Sequence, residues 1–123
     1  MEFRPSIEDR IKITETINFY FEGMKKGKSE IIKKAFVPEA SLWGTIDGKF
    51  KIFPLNDFLK GVDATGELND FKYTFDIFSV DGNIAVVKFI ENNVSGKNYN
   101  NFFNLVKVDG TWKIVAKLFN PFK

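Results

Sequence analysis

Cysteine and histidine are both missing from these 123 residues. Without cysteine there is no disulfide framework and no zinc–thiolate site. Without histidine there is no Ser-His-Asp triad, no imidazole base and no imidazole metal ligand. No pair of carboxylates is spaced as a metal or glycosidase site would need, so no metal and no cofactor is expected. An excess of charge is missing too: 18 basic residues face 16 acidic ones, for a net charge of +2. That balance argues against nucleic acid or an anionic membrane as partner. No apolar run approaches the ~20 residues of a membrane span. Met1-Glu2-Phe3-Arg4-Pro5 lacks the charged start and apolar run of a signal peptide, so a cytoplasmic location is expected.

What is present is hydrophobic and aromatic. Apolar residues make up 44% of the chain, and there are 15 phenylalanines. The length suits a single domain over residues 1–123 with one core. Around Asp109-Gly110, Asn101 to Phe119 reads as two long strands joined by a tight turn, the strongest short-range hairpin signal. An ideal turn there sets Val108 opposite Thr111, Leu105 opposite Ile114, Phe103 opposite Ala116 and Asn101 opposite Leu118. Alternation then gives a core-facing row of Asn101, Phe103, Leu105, Trp112, Ile114, Ala116 and Leu118. The other row holds Phe102, Asn104, Val106, Lys113, Val115, Lys117 and Phe119. Its apolar members are expected to be covered in a homodimer, with the lysine tips left wet. A bulge would swap the two rows beyond it.

Upstream, Ser6 followed by Asp9 resembles a capping box. Ile7, Ile11, Thr14, Ile17, Phe21 and Met24 recur at helical spacing, which predicts an amphipathic helix to about Lys26 that Gly27 ends. Ser29 caps a short second helix with Ile32, Ala35 and Phe36 inward, and Pro38 stops it. Ser41 to Ile46 and Phe50 to Phe53 read as strands around Asp47-Gly48. Leu55 to Val62 reads as a third helix. Phe71, Tyr73, Phe75 and Ile77 alternate as a half-buried strand, and Asp81-Gly82 turns into a long strand from Ile84 to Val94. The order α-α-β-β-α-β-β-β-β is an α+β arrangement. Four long strands curled around a long helix make a cone whose open end can hold a ligand.

Three segments resemble one family. They are Tyr20-Phe21-Glu22-Gly23, then Ala35-Phe36-Val37-Pro38-Glu39-Ala40, then Phe103-Asn104-Leu105-Val106-Lys107-Val108-Asp109-Gly110-Thr111-Trp112-Lys113-Ile114-Val115. Together they are similar to the putative lumazine-binding family of the nuclear-transport-factor-2-like (NTF2-like) superfamily, which includes SnoaL-like cyclases and ketosteroid isomerase. The resemblance implies a cone-shaped curved antiparallel sheet packed on three N-terminal helices, the cystatin-like fold. It also implies a dimer through the sheet's outer face. Relatives commonly carry a histidine where this chain has Val37, and an aspartate where it has Asn101. Asn101 donates and accepts hydrogen bonds but is no general base.

Candidate chemistry is sparse. Tyr20 is the candidate hydrogen-bond donor into the cone, on the precedent of ketosteroid isomerase, which pairs a carboxylate base with a tyrosine. Asp57, Asp76 and Glu39 are the carboxylates considered as its base, each alternatively a surface charge. Lys88 and Lys117 interrupt apolar strands, where a buried lysine with a lowered pKa can form a Schiff base or hold an anion. If Lys88 lies opposite Phe75, as an Asp81-Gly82 turn dictates, it points inward. Phe36, Trp43, Phe53, Phe58, Phe71, Tyr73, Phe103 and Trp112 are the aromatic candidates to line the cone, with Tyr20, Asn101 and Lys88 as its polar points. Such a pocket suits a flat, mostly apolar ligand. Three functions remain: a small-molecule-binding module, an isomerase- or cyclase-like enzyme, or a protein-interaction module whose cone is filled.

Overall fold

The computed structural model describes residues 6–123; the segment Met1 to Pro5, read above for a leader, lies outside them. Helix α1 spans Ile7–Lys26, and Ser6 caps it by accepting the Asp9 backbone N–H at 3.0 Å. Its buried line is Ile13, Thr16, Ile17, Tyr20, Phe21 and Met24. Ile7 and Ile11, expected on that line, are exposed. The Asp9 carboxylate explains the rotation. It accepts from Lys107 Nζ at 3.2 Å and from Trp112 Nε1 at 3.3 Å, which turns the Asp9–Ile13–Thr16 side of the helix toward the sheet. Gly27 ends the helix with φ of 67° and packs onto Gly66, leaving no room for a side chain.

Helix α2 (Ser29–Ile32) is a single turn continued by a 3-10 turn, Lys33–Ala35. Ser29 does not cap it. Its N–H and hydroxyl both donate to Asp63, at 3.0 and 2.6 Å, which ties α2 to helix α3 (Leu55–Thr65).

Six strands follow the expected order: β1 (Phe36–Ile46), β2 (Lys49–Pro54), β3 (Lys72–Asp81), β4 (Ile84–Val94), β5 (Lys97–Val108) and β6 (Thr111–Phe122). They form one sheet in the order β2-β1-β6-β5-β4-β3. The α+β cone of the sequence reading is the fold observed, with one refinement. The sheet is mixed, because β1 runs parallel to β6. These two strands are not hairpin neighbours; α3 and the β3–β5 meander separate them in the chain, so no tight turn forces them antiparallel. No helix among the described residues is long and apolar enough to cross a membrane.

Two bulges decide which residues face the helix. In the β5–β6 hairpin, Asp109 and Gly110 have φ of 49° and 79°, as a two-residue turn with right-handed twist requires. Val108↔Thr111 and Leu105↔Ile114 pair as expected. Then Asn104 pairs with Ala116, leaving Val115 as an extra residue. Beyond it Phe103 faces Lys117 and Asn101 faces Phe119, not Ala116 and Leu118. Lys117 and Phe119 therefore leave the expected dimer face and turn into the cone, and Leu118 turns out.

In the β3–β4 hairpin the turn is Gly82-Asn83, one residue later than expected, and a second bulge follows at Ile77/Ser79. Lys88 consequently pairs with Asp76 instead of Phe75. It lies on the outer face, its ammonium 5.8 Å from the Phe78 ring. The inward orientation expected for Lys88 is thus corrected.

Candidate functional site

Period-two alternation along β4 buries Ala85, Val87, Phe89 and Glu91 on the concave face. The row is apolar until its last member. Glu91 has no exposed surface, and the fold meets it with three polar partners. Tyr20 from α1 donates its hydroxyl to Glu91 Oε2 at 2.8 Å. Asn101 from β5 donates its amide to Oε1 at 3.0 Å. Lys117, turned inward by the Val115 bulge, donates to the Tyr20 hydroxyl at 2.8 Å and sits 3.8 Å from Glu91 Oε1. The Tyr20 oxygen thus bridges amine and carboxylate. Asn101 Oδ1 is buried with no hydrogen-bond partner.

Aromatic rings surround this cluster. Phe21, Phe36, Phe58, Phe89 and Phe103 all lie within 6.3 Å of the Tyr20 ring, centre to centre. The Lys117 ammonium lies 5.0 Å from the Phe58 ring centre and 5.1 Å from that of Tyr20. In this apolar shell charge is costly. Burial raises the Glu91 carboxyl above its ordinary range, and the charge of Lys117 with the hydrogen bonds of Tyr20 and Asn101 offsets only part of that. Burial lowers the Lys117 ammonium against the pull of Glu91. The Tyr20 hydroxyl is pushed well above its ordinary value by burial, then by the charge and hydrogen bond of Glu91. A base with a raised pKa and an amine with a lowered one are closer in proton affinity than in water, and the hydroxyl between them gives a proton a path from one to the other.

The cluster opens onto space. A chamber of about 140 Å³ is lined by Glu91 and Lys117 together with Tyr99, Phe58, Phe53 and Phe119. A second chamber of about 270 Å³ lies beneath α3 and shares Met24, Phe53, Phe58 and Val94 with the first. The larger chamber holds none of the cluster; its polar lining is Asp57, Thr65 and Ser95. Each alone falls below the roughly 300 Å³ at which ligand pockets begin, and the two joined reach that size.

The sequence candidates divide accordingly. Tyr20 and Asn101 belong to the cluster, and Phe53 and Phe58 line both chambers. Phe36 and Phe103 pack around Tyr20. Trp112 is at the closed end, where its carbonyl accepts from Thr16 at 2.9 Å. Trp43 is exposed beside Phe50 and donates to Ser41. Phe71 and Tyr73 lie in a different groove, with Tyr73 stacked on Phe21 at 3.8 Å. Among the proposed bases, Glu39 and Asp76 are exposed surface residues, and Asp57 is an exposed residue at the larger chamber, the outer one relative to the buried cluster. The carboxylate that joins the cluster, Glu91, was missed. Its signal was available: it is the charged fourth member of the Ala85, Val87, Phe89 row.

Comparison with known proteins fits this geometry. The profile of the family described as putative lumazine-binding matches residues 8–120. A protein from Cladobotryum sp named aldolase FrzH is 32% identical over 111 residues, covering 89% of each chain. An NTF2-like protein of unknown function from Shewanella baltica OS155 superposes with a TM-score of 0.90 at 26% identity, covering 98% of each chain. One from Methylobacillus flagellatus KT does so with a TM-score of 0.92 at 25% identity, over 100% of this chain and 99% of the other.

Proposed function

This chain belongs to the putative lumazine-binding family of NTF2-like proteins, and from that premise we propose that its cone binds a flat organic carbonyl compound and catalyses aldol-type making or breaking of a carbon–carbon bond. The observation that carries this reading is the Tyr20–Glu91–Lys117–Asn101 cluster, whose Glu91 and Lys117 line a largely apolar chamber while Tyr20 and Asn101 hold them from behind. An aldol step needs a proton removed beside a carbonyl and the oxygen's developing charge met by a donor. Glu91 suits the first task, and the Tyr20 hydroxyl and Lys117 amine suit the second. The apolar chambers suit the body of the ligand. The family's description supports small-ligand binding, and the Cladobotryum relative, named an aldolase, supports catalysis.

The test is a thermal-shift screen against flat aromatic and cyclic ketones, aldehydes and β-hydroxy ketones, followed by NMR for cleavage or condensation. A ligand at 100 times its dissociation constant adds about 2.7 kcal/mol of stability. A panel that shifts nothing and turns over nothing sinks the reading.

The outer face supports a homodimer as a second element of the proposal. Phe78, Ile84 and Phe102 are exposed there, beside a groove formed by Val86, Asn104, Val106 and Val115. Lys113 at its edge donates to the Lys34 carbonyl at 2.6 Å. Light scattering is expected to give twice the chain mass, falling to one chain mass in Phe102→Asp. A monomeric parent chain contradicts it.

A further inference from the structure

Lys117 is more than a counter-ion for Glu91. Its Nζ is 2.8 Å from the Tyr20 oxygen but 3.8 Å from Glu91, beyond hydrogen-bond length, and the side chain lines the inner chamber. Two of its hydrogens are thus left for the chamber side. It is held among Tyr20, Phe58 and Phe89 rings with 6% of its surface exposed. Structural ion pairs are usually closed by direct hydrogen bonds on both partners. This one is interposed by a phenol and faces empty volume.

We propose that Lys117 is a catalytic nucleophile that forms an imine with the carbonyl donor in the inner chamber, while the acceptor aldehyde lies in the outer one. This rests on the aldol-type reading above and deepens it. A proton passes from the Lys117 ammonium through the Tyr20 hydroxyl to Glu91, leaving an amine and a carboxylic acid. The Nζ lone pair then attacks the carbonyl carbon, and the carbonyl oxygen takes the Glu91 proton. The new N–H⁺ returns a proton to Glu91 through the Tyr20 hydroxyl. Glu91 then protonates the departing hydroxyl, the C–O bond breaks, and water leaves an iminium. The Glu91 carboxylate removes the α-proton, giving an enamine. The enamine carbon attacks the aldehyde carbon of the acceptor, whose reacting end reaches past Phe53 and Phe58 to the cluster while its body stays in the outer chamber, and the alkoxide takes the proton from Glu91. Water hydrolyses the iminium, releasing a β-hydroxy carbonyl and returning Lys117 as the ammonium beside the Glu91 carboxylate. Nothing is oxidised or reduced, and Glu91 and Tyr20 end as they began.

The geometry also sorts the substrates. The inner chamber, at about 140 Å³, takes a small donor. The larger apolar chamber takes the bulk of the acceptor, with Asp57, Thr65 and Ser95 at its polar edge. Burial lowers the Lys117 ammonium, the direction that favours release of the amine that attack requires.

The experiment is reductive trapping on the unmodified chain. Cyclopentanone, a small carbonyl donor, and sodium cyanoborohydride are added at neutral pH, and peptides are mapped by mass spectrometry while a parallel sample is followed by thermal shift. The expected result is one cyclopentyl group on Lys117 before any exposed lysine is labelled, with labelling of Lys117 slowed in Tyr20→Phe. Labelling of exposed lysines alone, with cyclopentanone still raising the melting temperature, overturns the imine and leaves the carbonyl-binding cone standing. No labelling of Lys117 and no thermal shift removes both. The pair variant Lys117→Met/Glu91→Gln, which buries no charge, is expected to keep the fold and lose the cyanoborohydride-dependent adduct at position 117.

Discussion

The cone contains two lysine–carboxylate pairs, one near each end of α1's buried face, and they behave in opposite ways. At the closed end Asp9 and Lys107 meet at 3.2 Å with side chains 20% and 33% exposed. At the chamber end Glu91 and Lys117 are 3.8 Å apart with side chains 1% and 7% exposed. Burial also pushes the Asp9 carboxyl up, but hydrogen bonds from Lys107 and Trp112 outweigh it and the net shift is downward. At Glu91 burial wins and the net shift is upward. Solvent and a direct short contact make the first pair a structural pin. Enclosure and an interposed tyrosine leave the second desolvated and bridged, the arrangement on which the proposed proton transfer rests. Proximity of charges does not separate the two; desolvation does.

The widest gap between them is expected on removing one lysine. Lys117→Met strands a buried carboxylate, and loss of one partner of a buried pair costs about 3–5 kcal/mol. Lys107→Met, at a partly exposed pair, costs about 1 kcal/mol or less. Urea unfolding of the two variants measures both, and equal losses would break the contrast. Next in size is Tyr20→Phe, which removes the bridge and leaves two buried charged groups a partner short. A cost of about 1–3 kcal/mol is expected, with loss of ligand-induced stabilisation in the same melting series.

The pH dependence sharpens the comparison by sign. Glu91 has a folded pKa above its ordinary 4.5, so its contribution is full below 4.5 and is lost as pH rises through the folded value. Asp9 has a folded pKa below its ordinary 3.8, so its contribution is full above 3.8 and is lost as pH falls through the folded value. Stability curves of Glu91→Gln and Asp9→Asn against the parent chain are expected to differ on opposite sides of that range. The smallest effect is Asp9→Asn at neutral pH, about 1 kcal/mol or less for an exposed-edge pair, read as a small drop in melting temperature.

Much of this was legible beforehand, and the failures have one cause. The Asp109-Gly110 turn, the capping Ser6 and the element order follow from local chemistry, and the local pattern carries them correctly. Tyr20 and Asn101 were found because each is a polar residue in an apolar row. The faces of Lys88 and Lys117 were assigned from ideal pairing. A single extra residue, Val115 in one hairpin and one at Ile77/Ser79 in the other, reversed both. A bulge leaves no residue-type signature in Lys113-Ile114-Val115-Ala116. It is fixed by how the strand curves over α1, which is a property of the whole sheet. The rotation of α1 away from Ile7 and Ile11 has the same origin, in contacts between Asp9 and two residues about a hundred positions along the chain.

The direct test of the contrast is the ionisation of Lys117 itself, followed by NMR of its side-chain nitrogen in the folded chain and in urea. Titration of the Lys117 amine in the folded chain below its value in the unfolded chain, and lower still in Glu91→Gln, where the opposing pull of the carboxylate is gone, is the predicted result. A folded Lys117 that titrates with the unfolded lysines, or above them, would mean an ordinary ion pair and contradict the proton-transfer role assigned to the cluster.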